Sequence, residues 1–287
     1  MPGIELQKTE QIYIVHGVQD NHRADGRNCL DYRLMEIETD VINNCNGSCL
    51  LKLGDTKLLA GVKAELSTPL ASSPDRGRIE VSIDITPHAH VDFEGKGGDD
   101  FASDVSTLLT QNCNDDKSVD LKSLCVIPGQ QAWVLYVDIM VLGYGGNYID
   151  AASIAAKVAL YNTKIHCVSV KCDDENEPEI EISDDPYDVF SLDVTNLPIL
   201  ITLYRIGGEF IVDATAEEES CCIAKLVLAV SPKEVVRMKQ IGESGSIHIE
   251  SVQDAIEMGQ AKGTVFQKQL MEFLHSEKDL PKNKFRL

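Results

Sequence analysis

Residues 35–66 read MEIETDVINNCNGSCLLKLGDTKLLAGVKAEL, and their apolar positions recur at every second residue. Met35, Ile37, Thr39 and Val41 fall on one side of an extended chain, while Glu36, Glu38 and Asp40 fall on the other. A period of two marks a half-buried strand, because successive side chains of an extended backbone point to opposite faces. Cys49, Leu51 and Leu53 keep the period and Gly54-Asp55 turns the chain. Leu58, Ala60, Val62, Ala64 and Leu66 then form the next strand, so the stretch reads as an antiparallel meander.

Outward from this meander the same tests apply. Upstream, Leu6, Ile12, Val15 and Val18 are loosely helical before Arg23-Ala-Asp25-Gly26-Arg27 turns the chain. Downstream, STPLASSPDRG (67–77) is a loop, and Ile79, Val81, Ile83 and Ile85 alternate with Arg78, Glu80, Ser82 and Asp84 as a fourth strand. After Gly95 to Gly98, the residues Phe101, Val105, Leu108 and Leu109 take helical spacing behind Asp99 and Asp100, which favour a helix N-terminus. Trp133 to Leu142 is a nearly continuous apolar run, expected to be a strand buried on both faces, ended by Gly143 to Gly146. Ile154, Val158 and Tyr161 mark a second helix, and Ile165 to Val170 a further strand.

The acidic run 173–179 reads as a solvated linker between halves. Beyond it, Ile199 to Leu203, Glu209 to Asp213, Ile223 to Val230 and Val235 to Lys239 read as strands. A long helix follows, with the stripe Ile249, Val252, Ile256, Gly259, Gly263, Phe266, Leu270 and Phe273, whose two glycines point to close backbone approach. Runs of strands punctuated by single helices predict an α+β fold of two related βα halves with antiparallel and mixed sheets. The expected divisions are an N-terminal helix and turn over 1–28, a first half over 29–171, the acidic linker over 172–188 and a second half over 189–287.

Composition narrows the function. The 287 residues carry 26 Lys+Arg against 46 Asp+Glu, a net charge of −20 with 43% hydrophobic residues. That excess of acid argues against holding nucleic acid by the chain's own net charge, since such binding releases counterions through Lys and Arg. The apolar run Ala132 to Leu142 is too short for a bilayer, which needs about 20 residues, and it contains Asp138, so no membrane partner is expected. The opening MPGIELQKTEQ lacks the order of a signal peptide, and an intracellular protein is expected. The nine cysteines show no C-x-x-C, which disfavours a disulfide framework or a zinc ribbon and leaves most as buried small hydrophobes.

Five places could carry chemistry, each beside a plainer alternative. Gly95 to Asp100 opens a helix, but Asp99 and Asp100 would repel an anion there. Gly145-Gly146-Asn147 is a glycine turn between a strand and a helix, the geometry that cradles anions, yet no Lys or Arg follows until Lys157. Asp213 with Glu217, Glu218 and Glu219 is an acid cluster that could hold Mg²⁺, act as general acid and base, or be a solvated edge. His88, His90 and Asp92 form at most half a zinc site that no cysteine completes, so no metal or other cofactor is expected. Arg76 and Arg78 could grip phosphates, or be solvated charges beside Asp75 and Glu80.

These segments also follow one another in a known order. Tyr13-Ile-Val-His16-Gly17, Arg23-Ala-Asp25-Gly26-Arg27 with Asp31-Tyr32-Arg33, Leu53-Gly-Asp-Thr56, Gly61-Val-Lys-Ala-Glu65 and Phe93-Glu-Gly95-Lys-Gly97-Gly98-Asp99-Asp100 resemble the RNase PH family. Val119-Asp-Leu-Lys122, Trp133-Val-Leu-Tyr136-Val-Asp138, Gly145-Gly-Asn147, Asp184-Asp-Pro-Tyr187-Asp188 and Val212-Asp-Ala-Thr215 with Glu217-Glu-Glu219 extend the resemblance over nearly the whole chain. It resembles very closely the branch that forms the ring of the eukaryotic RNA exosome. The resemblance implies the RNase PH fold (ribosomal protein S5 domain 2-like), a six-membered ring with other RNase PH-like subunits, S1/KH cap subunits and attached hydrolytic ribonucleases. It also implies single-stranded RNA in a central channel, and a place in nucleus, nucleolus and cytoplasm.

Active relatives carry Thr and Arg after the glycine pair, where this chain has Asn147 and Tyr148, and two aspartates six apart, where it has Asp213 and Glu219. On this comparison the cationic grip on phosphate is missing. The expectation is a scaffold without phosphorolytic activity, in which Gly145, Gly146, Asn147, Asp213 and Glu219 are remnants of an active site and Arg76 and Arg78 contact RNA. Two other classes stay open: an active phosphate-dependent 3′-exoribonuclease using Asp213 and Glu219, and a homo-oligomeric module unrelated to RNA.

Overall fold

The computed structural model describes residues 6–86, 89, 96–171, 179–183, 185, 187–241 and 247–278. Helix α1 (Lys8–Gln19) leads into a meander of β1 (Met35–Thr39), β2 (Gly47–Leu53) and β3 (Thr56–Ser67), antiparallel throughout, with Met35 opposite Leu53 and Leu53 opposite Thr56. Most of the alternation read in residues 35–66 is the burial seen, since Met35, Ile37, Cys49, Leu51, Leu53, Leu58, Ala60 and Val62 are buried; at the ends it fails, with Thr39, Ala64 and Leu66 half-buried and Val41, beyond β1, exposed.

The next strand, β4 (Arg78–Ile85), does not extend the meander. It lies at the far edge, parallel to β6 (Gln131–Gly143), which separates it from β3 and also pairs with the short β5 (Cys125–Ile127). Helix α2 (Lys96–Cys113) makes the crossover and then covers the outer edge of β4. Ser106, Thr110 and Asn114 fall four apart, on one helix face. Asn114 accepts from Ile79 N at 3.0 Å and donates to Ile79 O at 2.6 Å; Thr110 Oγ1 accepts from Val81 N at 3.1 Å, and Ser106 Oγ donates to Val81 O. The helix thus satisfies backbone groups that an open edge would offer to another chain.

Strand β6 is buried on both faces only over its first half: from Asp138 onward it alternates, with Asp138 and Met140 exposed, which corrects the expectation from its apolar run. Helix α3 (Tyr148–Tyr161) follows and is buried along its whole length. It packs on β2 and β3 on one side and on β11 (Ile199–Ile206) of the second half on the other. Five alanines let the backbones approach, and a Cβ at Gly47 would lie 2.5 Å from Ala159 O.

The segment between the halves is more structured than a linker. β7 (Ile165–His166) and β8 (Val168–Lys171) replace the single strand expected there, and β9 (Glu179–Ile182) lies inside the acidic stretch and pairs with β8. β10 (Val189–Phe190), placed by sequence in the second half, pairs back onto β7. The second sheet runs β12 (Glu209–Val212), β11, β13 (Ala224–Val230) and β14 (Val235–Ile241), all antiparallel. The short helix α4 (Ala216–Ser220) follows β12, and α5 (Ile249–Lys278) covers the face of this sheet away from α3.

The buried stripe of α5 is Ala255, Gly259, Gly263, Gln267, Leu270 and Leu274, rotated from the expected one: Ile249 is 87% exposed and Phe266 and Phe273 are half-buried. The close approach at the glycines is real, since a Cβ at Gly263 would lie 2.8 Å from Val230 Cβ. Of the eight described cysteines, none of them in a disulfide, only Cys49 and Cys113 are buried, fewer than expected. No helix among the described residues is long and apolar enough to cross a membrane.

Candidate functional site

Asp213 ends β12 with a left-handed backbone (φ 46°) that turns its carboxylate inward, under the turn from β6 to α3. That turn is Gly145-Gly146-Asn147, and it is tight. Gly146 has φ 94°, and a Cβ there would lie 2.4 Å from Ala214 O, so only glycine fits. Asn147, the N-cap of α3, is also left-handed at φ 53°. The structure therefore brings Gly145, Gly146, Asn147, Asp213 and Glu219 into one place.

The sequence had shown no cation here, and this is corrected: two guanidinium groups arrive from the segment before β1. Arg33 Nη2 donates to Asp213 Oδ1 at 2.8 Å, while Arg33 Nε at 3.0 Å, Arg33 N at 2.7 Å and Arg27 Nη1 at 3.0 Å all donate to Oδ2. Asn147 Nδ2 adds a bond to Oδ1 at 3.0 Å. The Asp213 side chain has no exposure. Arg33 also donates to Gly145 O at 2.6 Å and Gly146 O at 3.0 Å, tying the glycine turn to the same ion cluster. A third guanidinium, Arg23, forks onto Glu218 at 2.9 and 2.5 Å and donates to Asp213 O at 2.7 Å.

Glu219 is held equally fully. Its Oε1 accepts from Asn147 N at 2.8 Å and from Tyr204 OH at 2.7 Å, and its Oε2 from Tyr144 OH at 2.6 Å and Lys225 Nζ at 2.9 Å. Burial works to raise its pKa, but the Lys225 ammonium and the tyrosine hydrogen bonds outweigh it and hold the carboxyl below its ordinary value. Lys225 Nζ also lies 5.0 Å from the centroid of the Tyr204 ring. Burial, with Glu219 alongside, raises the pKa of Tyr144 and Tyr204, so both stay protonated donors.

Asp150, on the first turn of α3, completes the cluster with three donors and no cation. Thr202 Oγ1 donates at 2.6 Å, Tyr32 OH at 2.9 Å and Asn147 Nδ2 at 3.1 Å. Burial pushes its pKa up to about 6 in spite of these bonds. Lys157, the first cation after the glycines in sequence, points elsewhere and donates to Leu197 O at 2.7 Å.

Arg76 and Arg78 are apart from this cluster, beside β4. Arg76 pairs with Asp116, and Arg78 Nε lies 2.6 Å from Glu80 Oε1. Both line a groove of about 360 Å³ floored by Ile79, Leu121, Ala132 and Val134. His88, His90 and Asp92, Gly95, and most of the acidic run lie outside the described residues.

The residues missed from sequence are Arg23, Arg27, Arg33, Lys225, Tyr144 and Tyr204. Three arginines within eleven positions of an acidic chain were the available signal.

Residues 31–166 match domain 1 of the 3′ exoribonuclease family and residues 196–262 match domain 2. The chain belongs to this family, the RNase PH family, and has its two-domain fold. It is 33% identical over 260 residues to the exosome complex component Rrp42 of Thermococcus kodakarensis, covering 91% of this chain and 93% of that protein. It is also 33% identical to a putative exosome complex exonuclease RRP42 of Dictyostelium discoideum, over 79% of this chain and 85% of that one. Among solved structures, a chain of the Archaeoglobus fulgidus exosome with RNA bound to the active site superposes with a TM-score of 0.76 at 27% identity, covering 91% of this chain and 97% of its own. A chain of an archaeal exosome core gives 0.73 at 26% identity, over 92% and 96%.

Two consequences can be measured. Replacing Arg33 by Met leaves the buried Asp213 charge with one of its two guanidiniums and both hydrogen bonds from that side chain gone, so Arg33→Met is expected to lower unfolding stability by about 3–5 kcal/mol in urea titrations. Adding Asp213→Asn should recover part of that loss. For Asp150 the folded pKa is raised, so its contribution is most favourable below the unfolded value of 3.8 and is lost as pH rises through about 6. Asp150→Asn should therefore gain on the parent chain by about 2 kcal/mol between pH 4 and pH 7, read from unfolding free energies across that range.

Proposed function

We propose that this chain is a non-catalytic structural subunit of an RNA exosome ring, equivalent to the eukaryotic subunit called exosome complex component seven or ribosomal RNA processing protein 42. One observation carries the reading: Asp213 and Glu219, at the positions of the family's catalytic acid pair, are buried and already hold nine hydrogen bonds from the protein's own groups. A metal ion or an attacking phosphate would have to displace Arg33 or Lys225 from a site with little water to take them up. In this role the chain scaffolds 3′–5′ RNA processing and decay, including rRNA 3′-end maturation and mRNA turnover. Its partners are five other ring positions filled by RNase PH-like subunits, S1/KH cap subunits and attached hydrolytic ribonucleases, in nucleus, nucleolus and cytoplasm.

RNA contact within that role falls to Arg76 and Arg78, the exposed-side arginines of the β4 groove. Their pairs with Asp116 and Glu80 are partly exposed and so worth ~0–1 kcal/mol each, weak enough for a phosphate to replace.

A second reading, an active phosphate-dependent 3′-exoribonuclease, draws on the guanidinium groups that the fold brings to the site. Arg27 Nη2 is buried and has no hydrogen-bond partner in the protein, so one donor remains for an anion.

The two readings separate in a phosphorolysis assay with 3′-labelled single-stranded RNA, Mg²⁺ and inorganic phosphate, run on the chain alone and with its ring partners. The scaffold reading expects no nucleoside diphosphate from the chain alone and no change in ring output for Asp213→Ala rings that assemble. Release of nucleoside diphosphates that Asp213→Ala abolishes would establish the second reading instead. In the same rings, Arg76→Glu with Arg78→Glu is expected to weaken RNA binding and lower the salt dependence of the affinity by roughly one to two counterions; an unchanged affinity would remove these arginines from the RNA path.

A further inference from the structure

The β8–β9 hairpin has two unlike faces. In an antiparallel pair, residues directly opposite share a face, and so do residues two apart in a strand. Val168 lies opposite Ile182 and Val170 opposite Ile180, so four β-branched apolar residues gather on one side, with Ser169 and Glu181 on the other. A face of this composition belongs against a core. Val168 does pack on the main core, but Val170 stays 37% exposed and Ile182 48% exposed. Neither strand has a third partner among the described residues, and an isolated two-stranded ribbon is marginal in water.

Charge says what fits this face. Residues 171–188 of the sequence hold nine Asp or Glu against the single Lys171, so eighteen positions carry −8 of the chain's −20. Among the described ones, Glu181 is exposed on the opposite face of the hairpin, and Asp185 and Asp188 are exposed just after β9. Nucleic acid is repelled by this field. A second copy of the chain would bring −8 against −8 and is disfavoured for the same reason. A cationic protein surface with apolar side chains is complementary on both counts.

We propose that the apolar face of the β8–β9 hairpin is a docking surface for a basic segment of a partner protein, which covers Val170 and Ile182 with branched apolar side chains and sets Lys or Arg against the surrounding acids. The acids give the encounter its rate and its choice of partner, and the covered apolar area gives residence. This inference stands on the hairpin alone and does not depend on whether Asp213 and Glu219 are catalytically silent.

The test uses the full chain and two labelled octapeptides: Lys-Val-Lys-Ile-Lys-Val-Lys-Ile, and a control with Ser at every apolar position. Fluorescence anisotropy is expected to show the first binding at least about tenfold more tightly than the control, a difference of ~1.4 kcal/mol. Hydrogen exchange should slow over residues 168–171 and 179–182. Val170→Ser with Ile182→Ser should bring the first peptide down to the control. Because that pair of changes could loosen the hairpin itself, Glu181→Lys, on the opposite face, is the second variant: it should weaken both peptides by a similar factor and leave their ratio intact. Equal binding of the two peptides, protection mapped elsewhere, RNA binding that Val170→Ser and Ile182→Ser reduce, or a concentration-dependent dimer that they abolish would each overturn the proposal.

Discussion

The carboxylate of Asp213 is the point on which three separate stretches of chain converge. Arg27 and Arg33 reach it from the segment before β1, Asn147 from the turn into α3, and Asp213 itself stands at the end of β12 in the second half. An unpaired charge in such a place would cost several kcal/mol, and so would either guanidinium without its acid. Each group therefore requires the others, and the requirement fixes the relative position of the two sheets across α3. Hydrophobic burial supplies most of the stability, but it is tolerant of small displacements; a forked arginine on a buried carboxylate is not.

The same cluster constrains what the site can do. A phosphorolytic centre needs acids or cations with valence to spare for phosphate, metal and RNA. Here Glu219 has a donor in each direction, from Asn147, Tyr204, Tyr144 and Lys225, and the ammonium of Lys225 stands where a soluble cation would be drawn. A glutamate at this position has one methylene more reach than an aspartate would have. The structure gives that reach a use, since the longer side chain links α4, β13, β11 and the α3 turn.

Much of the fold was legible because it is written locally. Period-two alternation in residues 35–66 and 78–85 predicted strands whose central inward residues are buried, though Val41, Ala64 and Leu66 at or beyond the strand ends are not, and the stripe before the C-terminus predicted α5, one helix face out of register. What could not be read was pairing. Nothing in Ile79 to Ile85 tells that β4 lies parallel to β6, because that follows from the crossover through α2 between the two strands. Acidic composition concealed β9, since Glu179 and Glu181 look solvated while Ile180 and Ile182 alternate with them. At the site, sequence selected the acids and the glycine turn but judged the turn by its neighbours alone. The cations come from about 110 residues earlier and 80 residues later, distances over which charge leaves no pattern.

Backbone strain and ion pairing at this site sustain one another. Asn147 and Asp213 both hold left-handed conformations, which Asn and Asp tolerate better than most residues but still at a cost of the order of 1 kcal/mol or more each. With ordinary φ values the Asp213 carboxylate would leave Arg33, and the amide of Asn147 would no longer bridge Asp213 and Asp150. Such strain could be lost by substitution only together with the arginines that pair Asp213, since every intermediate leaves a buried charge without its partner. Side chains that close the centre in this way also make its strained backbone the least costly arrangement available.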